Sequence, residues 1–191
     1  MPRLPRSVVL VLALGVASLS CHFGSVAISP PEGSDRAALV ELQRELSSRP
    51  SGLVPEEIEA VARAILAECR RLDLSPQLVT AIIEVESSGY NFAMSGAGAL
   101  GLMQIRPDTG AALAPRLGVP WRGPATLLDP VVNVRMGITY LRDLIDRFGS
   151  VERALAAYNW GPTRIAARIG RGQAVPSGYA KRVMAALAGQ A

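Results

Sequence analysis

The sequence predicts an all-α fold. From residue 54 onward, apolar residues recur at helical spacing, as in Val79, Ile82 and Ile83 or Val151, Leu155 and Tyr158. The helical runs open on Pro, Ser or Asp and several close on Gly. No segment sustains the period-two alternation of a half-buried strand. Pro55-Glu56-Glu57 opens a helix reaching about Leu72, with acids in the first turn as the helix dipole prefers. Ser75 reads as an N-cap, with Pro76 at the first helical position of the next helix. Residues 88–100, rich in Gly and Ser, read as loop. A short helix follows from Pro107 to about Leu113. Asp129 caps a long helix from Pro130 to about Phe148, ended by Gly149. Ser150 caps another, which stops at Gly161-Pro162, and further helices cover about Thr163–Ile169 and Gly178–Leu187.

The chain has 191 residues, enough for one domain with a real core, and 49% of them are hydrophobic. Its N-terminus carries Arg3 and Arg6, then an apolar stretch over residues 7–20 that is short for a membrane span and suits an export signal. That signal is expected to end at Cys21, preceded by the small residue Ser20 as in a bacterial lipoprotein site. Cys21 is thus the candidate point of lipidation and membrane attachment, and an uncleaved N-terminal anchor is the other reading. The expected organisation is a signal over 1–21, a mostly irregular linker over 22–53, with a short helix near Ala37–Leu46, and a catalytic domain over 54–191. The formal net charge of +4 favours anionic partners without choosing among them.

Several chemistries drop out. The only histidine, His22, lies in the expected linker, which removes Ser-His-Asp and Cys-His sites. Two cysteines, Cys21 and Cys69, with no core histidine cannot make an ordinary zinc site. Gly96, Gly98 and Gly101 spell a dinucleotide fingerprint but follow a helix and loop instead of a strand, so they read as a loop that approaches something closely. No Walker loop is present, and the basic residues are scattered, so neither cofactor, metal nor nucleic acid is expected. Cys69 reads as a small buried hydrophobe, and no disulfide is expected.

What remains is an acid on an apolar stripe. Val79, Ile82, Ile83 and Glu86 share one helix face, while Gln77, Thr80 and Glu84 share the opposite one. Glu84 is therefore expected in solvent and Glu86 inside. A carboxyl among apolar neighbours holds its proton toward neutral pH, which suits a general acid. The competing reading is a structural ion pair, to Arg135 for example.

Five ordered blocks across about residues 62–185 resemble the soluble lytic transglycosylases of the goose-lysozyme-like type. They are Ala81–Asn91 with Glu86-Ser87; Ser95–Ile105 followed by Pro107; Leu128-Asp129-Pro130 with Asn133, Gly137, Tyr140 and Leu141; Ala156–Pro162; and Tyr179. The resemblance implies a lysozyme-like all-α domain with a glycan-binding cleft. It implies cleavage of the β-1,4 bond between N-acetylmuramic acid and N-acetylglucosamine of peptidoglycan strands, leaving 1,6-anhydromuramoyl ends. Glu86 would act as acid and then as base. Ser87 would orient the acid on the substrate-binding side, and Ser95, Gly101, Gln104, Tyr158 and Asn159 would contact substrate, with the Tyr158 hydroxyl near Glu86 or the sugar. Ser87 could instead cap its helix, and Gln104 could cap the Pro107 helix. Met103 reads as packing. Arg106 and Trp160 depart from the usual pattern. Arg106 suits an anionic peptide stem, while the Trp160 indole either stacks on a sugar or plugs the core. An exported, monomeric envelope enzyme follows. The alternatives are a goose-type lysozyme or chitinase-like hydrolase, which needs a second carboxylate, and an inactive glycan-binding scaffold.

Overall fold

The computed structural model describes residues 32–189, so the expected signal, Cys21 and His22 lie outside the described residues. Within them are eight α-helices: α1 (Glu32–Ser47), α2 (Pro55–Leu72), α3 (Pro76–Ser87), α4 (Pro107–Leu113), α5 (Pro130–Phe148), α6 (Val151–Trp160), α7 (Pro162–Gly170) and α8 (Gly178–Ala188). Two short 3-10 turns, Pro115–Leu117 and Pro124–Leu128, join α4 to α5 and were not foreseen. Among the described residues there is no strand, only isolated bridges pairing Leu100 with Met94 and with Ile105.

The helix boundaries follow from caps visible in the sequence. The Glu57 carboxylate accepts from the Val54 N–H at the start of α2 (3.0 Å). Ser75 Oγ accepts from the Leu78 N–H (3.3 Å), and Asp129 accepts from the Val132 N–H (3.0 Å). Ser150 Oγ accepts from the Arg153 N–H (3.3 Å). Gly149 closes α5 at φ 75°, a left-handed conformation that glycine adopts without a Cβ clash.

The main core is built where α2 packs along α5 and α3 against α8. Val61 and Ile65 of α2, Val79 and Ile82 of α3, Met136, Ile138 and Leu141 of α5, and Val183 of α8 are all buried in it. Cys69 is buried there as well. The segment after α3 also sends Leu102, Met103 and Ile105 inward, so the Gly-rich stretch is anchored to the core.

The linker expectation needs correction. Its described part carries α1, a 16-residue helix, longer than the short one expected. Leu42 and Leu46 of α1 are buried in the main core, because α1 lies against α2. Its apolar positions are few, and the Pro- and Ser-rich flanks masked the helix.

Candidate active site

The opposite faces of α3 both prove to be covered. Glu86 lies on the side of α8, whose Tyr179 hydroxyl donates to Glu86 Oε1 (2.5 Å). Burial pushes the Glu86 carboxyl above the ordinary carboxylate range, and the Tyr179 hydrogen bond and the Arg182 charge pull it partway back. The Arg135 pairing is not made: Arg135 Nε holds Glu68 (3.0 Å) instead.

The expected polar face is a correction. Thr80 is only 3% exposed. Its hydroxyl reaches the Gln77 carbonyl (3.1 Å) and the Glu45 carboxylate of α1. Glu84 is half-buried and paired with Arg49, just beyond α1. Periodicity separates Glu84 from Glu86 correctly, but α1 and the residues after it cover the face assigned to solvent.

Tyr158 lies near enough to Glu86 to feel its charge and also lines the groove, but its hydrogen bond goes elsewhere. Tyr158 donates to the Met103 carbonyl (2.8 Å), not to Glu86. Its ring stacks on Tyr179, with centroids 6.4 Å apart and planes within 8°. Tyr179 is the residue that meets Glu86, because α8 crosses α3. Burial first, and then the Glu86 charge, raise both phenols far above their ordinary range, so both stay protonated as donors. Tyr179 and Arg182 were not in the expected site. The signal was the apolar face of α8, where Tyr179 sits with Ala180 and Val183.

Ser87, half-buried, makes no hydrogen bond to the acid. Its Oγ lies within hydrogen-bonding distance of the Ile83 (3.0 Å) and Leu102 (2.8 Å) carbonyls, so it ties the end of α3 to the following loop. Ser95 Oγ accepts from the Ala99 N–H (3.0 Å) and shapes its own turn. Gly101 is a clearer miss as a substrate contact. It is buried at φ 80°, and a Cβ there would lie 2.2 Å from Asn133 Nδ2. The close approach is to α5. Asn133 is buried and satisfied, accepting from the Met103 N–H (2.8 Å) and donating to the Leu100 and Leu127 carbonyls (2.8 Å each). Gly137 makes similar room for the Met103 sulfur, so Met103 packs inside as expected.

Gln104, Asn159 and Trp160 do share a wall. With Arg106, Tyr140 and Tyr158 they line a groove of about 670 Å³. Gln104 donates both amide protons to the Ala93 (2.9 Å) and Gly101 (3.0 Å) carbonyls, which leaves Oε1 as its group for a ligand donor. It does not cap α4; Arg106 occupies that position. Trp160 is 44% exposed, which excludes a core plug. The Arg164 guanidinium lies over its ring, 5.5 Å from the centroid. Glu86 is not itself on this wall; the Tyr158–Tyr179 stack joins it to the groove. The groove's acids are engaged. Asp143 takes Arg116 in two hydrogen bonds (2.6 and 2.9 Å), and Asp108 accepts from Arg106 (3.3 Å) and the Thr109 N–H (3.0 Å).

Comparison with known proteins gives a family match over residues 63–177, to the transglycosylase SLT domain. The chain is 38% identical over 103 residues to a soluble lytic murein transglycosylase of Salmonella typhimurium, covering 53% of this chain and 16% of that protein. It is 38% identical over 95 residues to a transglycosylase of Enterobacteria phage PRD1, covering 50% of this chain and 32% of the relative. An endo-type membrane-bound lytic murein transglycosylase A of Klebsiella pneumoniae is 44% identical over 72 residues, covering 36% of this chain and 34% of its own length. The chain thus spans a third or less of most of these relatives. The crystal structure of the 70-kDa soluble lytic transglycosylase of Escherichia coli matches with a TM-score of 0.60 at 24% identity, over 82% of this chain and 29% of that one. That match shows a shared all-α fold.

Proposed function

We propose, for a chain that belongs to the transglycosylase SLT domain family, that it cleaves peptidoglycan strands with Glu86 as acid and then base. The observation that carries this reading is the Glu86 environment. The carboxyl is half-buried, burial raises its hold on the proton, and a tyrosine hydroxyl orients it. The charged and titrating groups acting on it are Tyr179, Tyr158 and Arg182, with no carboxylate among them.

The chemistry follows from having one acid. Glu86 gives its proton to the glycosidic oxygen between muramic acid and glucosamine as the bond from that oxygen to the anomeric carbon breaks. The 6-hydroxyl oxygen of the same muramic acid bonds to that carbon, and its proton passes to the Glu86 carboxylate. The carboxyl is restored and no water is consumed. Proximity within one sugar supplies what a second carboxylate and a water supply in a hydrolase. Gln104 Oε1, Asn159 and the open Trp160 ring would hold the strand along the groove. Ser87, Ser95 and Gly101 would act from behind, by shaping the loop that carries Gln104.

Export to the cell envelope is part of the reading. It rests on Arg3, Arg6 and the apolar stretch that follows them, with Cys21 as the attachment point. The catalytic domain is proposed to begin with α1, since that helix shares the core.

Digestion of purified sacculi tests the activity. Fragments one water lighter than hydrolysed muropeptides, by mass, are the expected products. Hydrated reducing ends would favour the lysozyme-like alternative, and no release at all would favour the scaffold.

A further inference from the structure

Glu86 must carry a negative charge in a half-buried place once its proton has left. Burying a carboxylate is costly unless something compensates it. The groups facing Glu86 come from α6 and α8: Tyr158, Tyr179 and Arg182. Both phenols are held protonated, so the only permanent charge among them is Arg182.

Arg182 is one helical turn from Tyr179 on α8, so the two share a face. Its guanidinium lies over the Tyr179 ring, 5.5 Å from the centroid. That ring carries the hydroxyl 2.5 Å from Glu86 Oε1. Arg116, Arg135 and Arg142 spend their charge on acids. Among the described residues Arg182 forms no ion pair or hydrogen bond within the chain, and its side chain is exposed. Its uncompensated state therefore costs little while Glu86 is neutral, and its charge acts when Glu86 is anionic.

We propose that Arg182 is a positioning residue for Glu86, seating the Tyr179 ring against the carboxyl and stabilising the carboxylate between the two proton transfers. This rests on the reading of Glu86 as acid and then base. The effect is differential: it favours one state of the cycle over the other, which uniform packing would not do.

The test reads the carboxyl directly. Glutamate carboxyl carbons are labelled with carbon-13 in the full chain, Glu86 is identified by its loss in Glu86→Gln, and its titration is followed by NMR. Arg182→Gln is expected to raise the Glu86 midpoint by about half a pH unit, since a neighbouring cation favours the charged form. Arg182→Lys keeps the charge and should leave the midpoint within about 0.2 unit. The basic limb of the kcat profile on sacculi should move up with the midpoint in Arg182→Gln, with kcat down about three-fold. An unmoved midpoint in Arg182→Gln would overturn the proposal. So would an equal shift in Arg182→Lys, which would assign the effect to shape. If the parent chain releases no anhydromuramoyl product, the activity reading fails, while the titration still decides the role of Arg182.

Discussion

Replacing Glu86 by Gln removes the titrating proton but keeps an oxygen that can accept from Tyr179. Release of anhydromuramoyl fragments should fall by about 10²–10⁴-fold, the usual weight of a general acid. Glu84→Gln breaks only the partly exposed pair with Arg49. It should keep most of the activity and cost under about 1 kcal/mol in a urea melt. Equal loss in both variants would contradict the division of faces on α3. The same carboxyl sets a pH dependence. Because burial raises the Glu86 pKa in the folded chain, its contribution to stability is complete below its unfolded value of 4.5 and is lost as pH rises through the folded value. Glu86→Gln should therefore melt higher than the parent at pH 7. The gain should vanish near pH 4, as calorimetry can check. The helical spacing made the placement of Glu86 legible; its partner was not, because Tyr179 is 93 positions away and only the crossing of α8 over α3 joins them.

At the scale of elements, the loop between α3 and α4 shows how the site is held. Ser87 pins the Leu102 carbonyl, Tyr158 pins that of Met103, and Asn133 binds the Leu100 carbonyl and the Met103 N–H. Gly101 is the tight point of that arrangement. Gly101→Ala would drive a methyl into Asn133 and toward the Leu127 carbonyl, 2.7 Å away, at a backbone angle that alanine resists. A loss of about 2–4 kcal/mol is expected in denaturant melts, with activity lost beyond the fraction unfolded because Gln104 is displaced. The helices themselves were legible, since Ser75, Asp129 and Ser150 cap where cap residues belong. The loop roles were not, because short polar side chains serve turns and ligands alike, and only the hydrogen-bond partners tell them apart.

At the scale of the whole molecule, α1 decides where the folded unit starts. Leu42 is 4% exposed in the main core. Leu42→Ala should cost about 2–4 kcal/mol in urea unfolding and lower the single cooperative transition, as for any core residue. A transition unchanged by the substitution would return α1 to the status of a linker. By itself the sequence determined the all-α class, most helix limits and the inward aim of Glu86. These depend on neighbours within a turn or two, or on which residue types are present. The tertiary structure alone decided what covers the second face of α3, that Gly101 serves α5, that Trp160 opens on the groove, and that Tyr179 and Arg182 attend the acid. Those are contacts between distant segments, and one turn of local periodicity fixes the direction of a side chain without naming what it will meet.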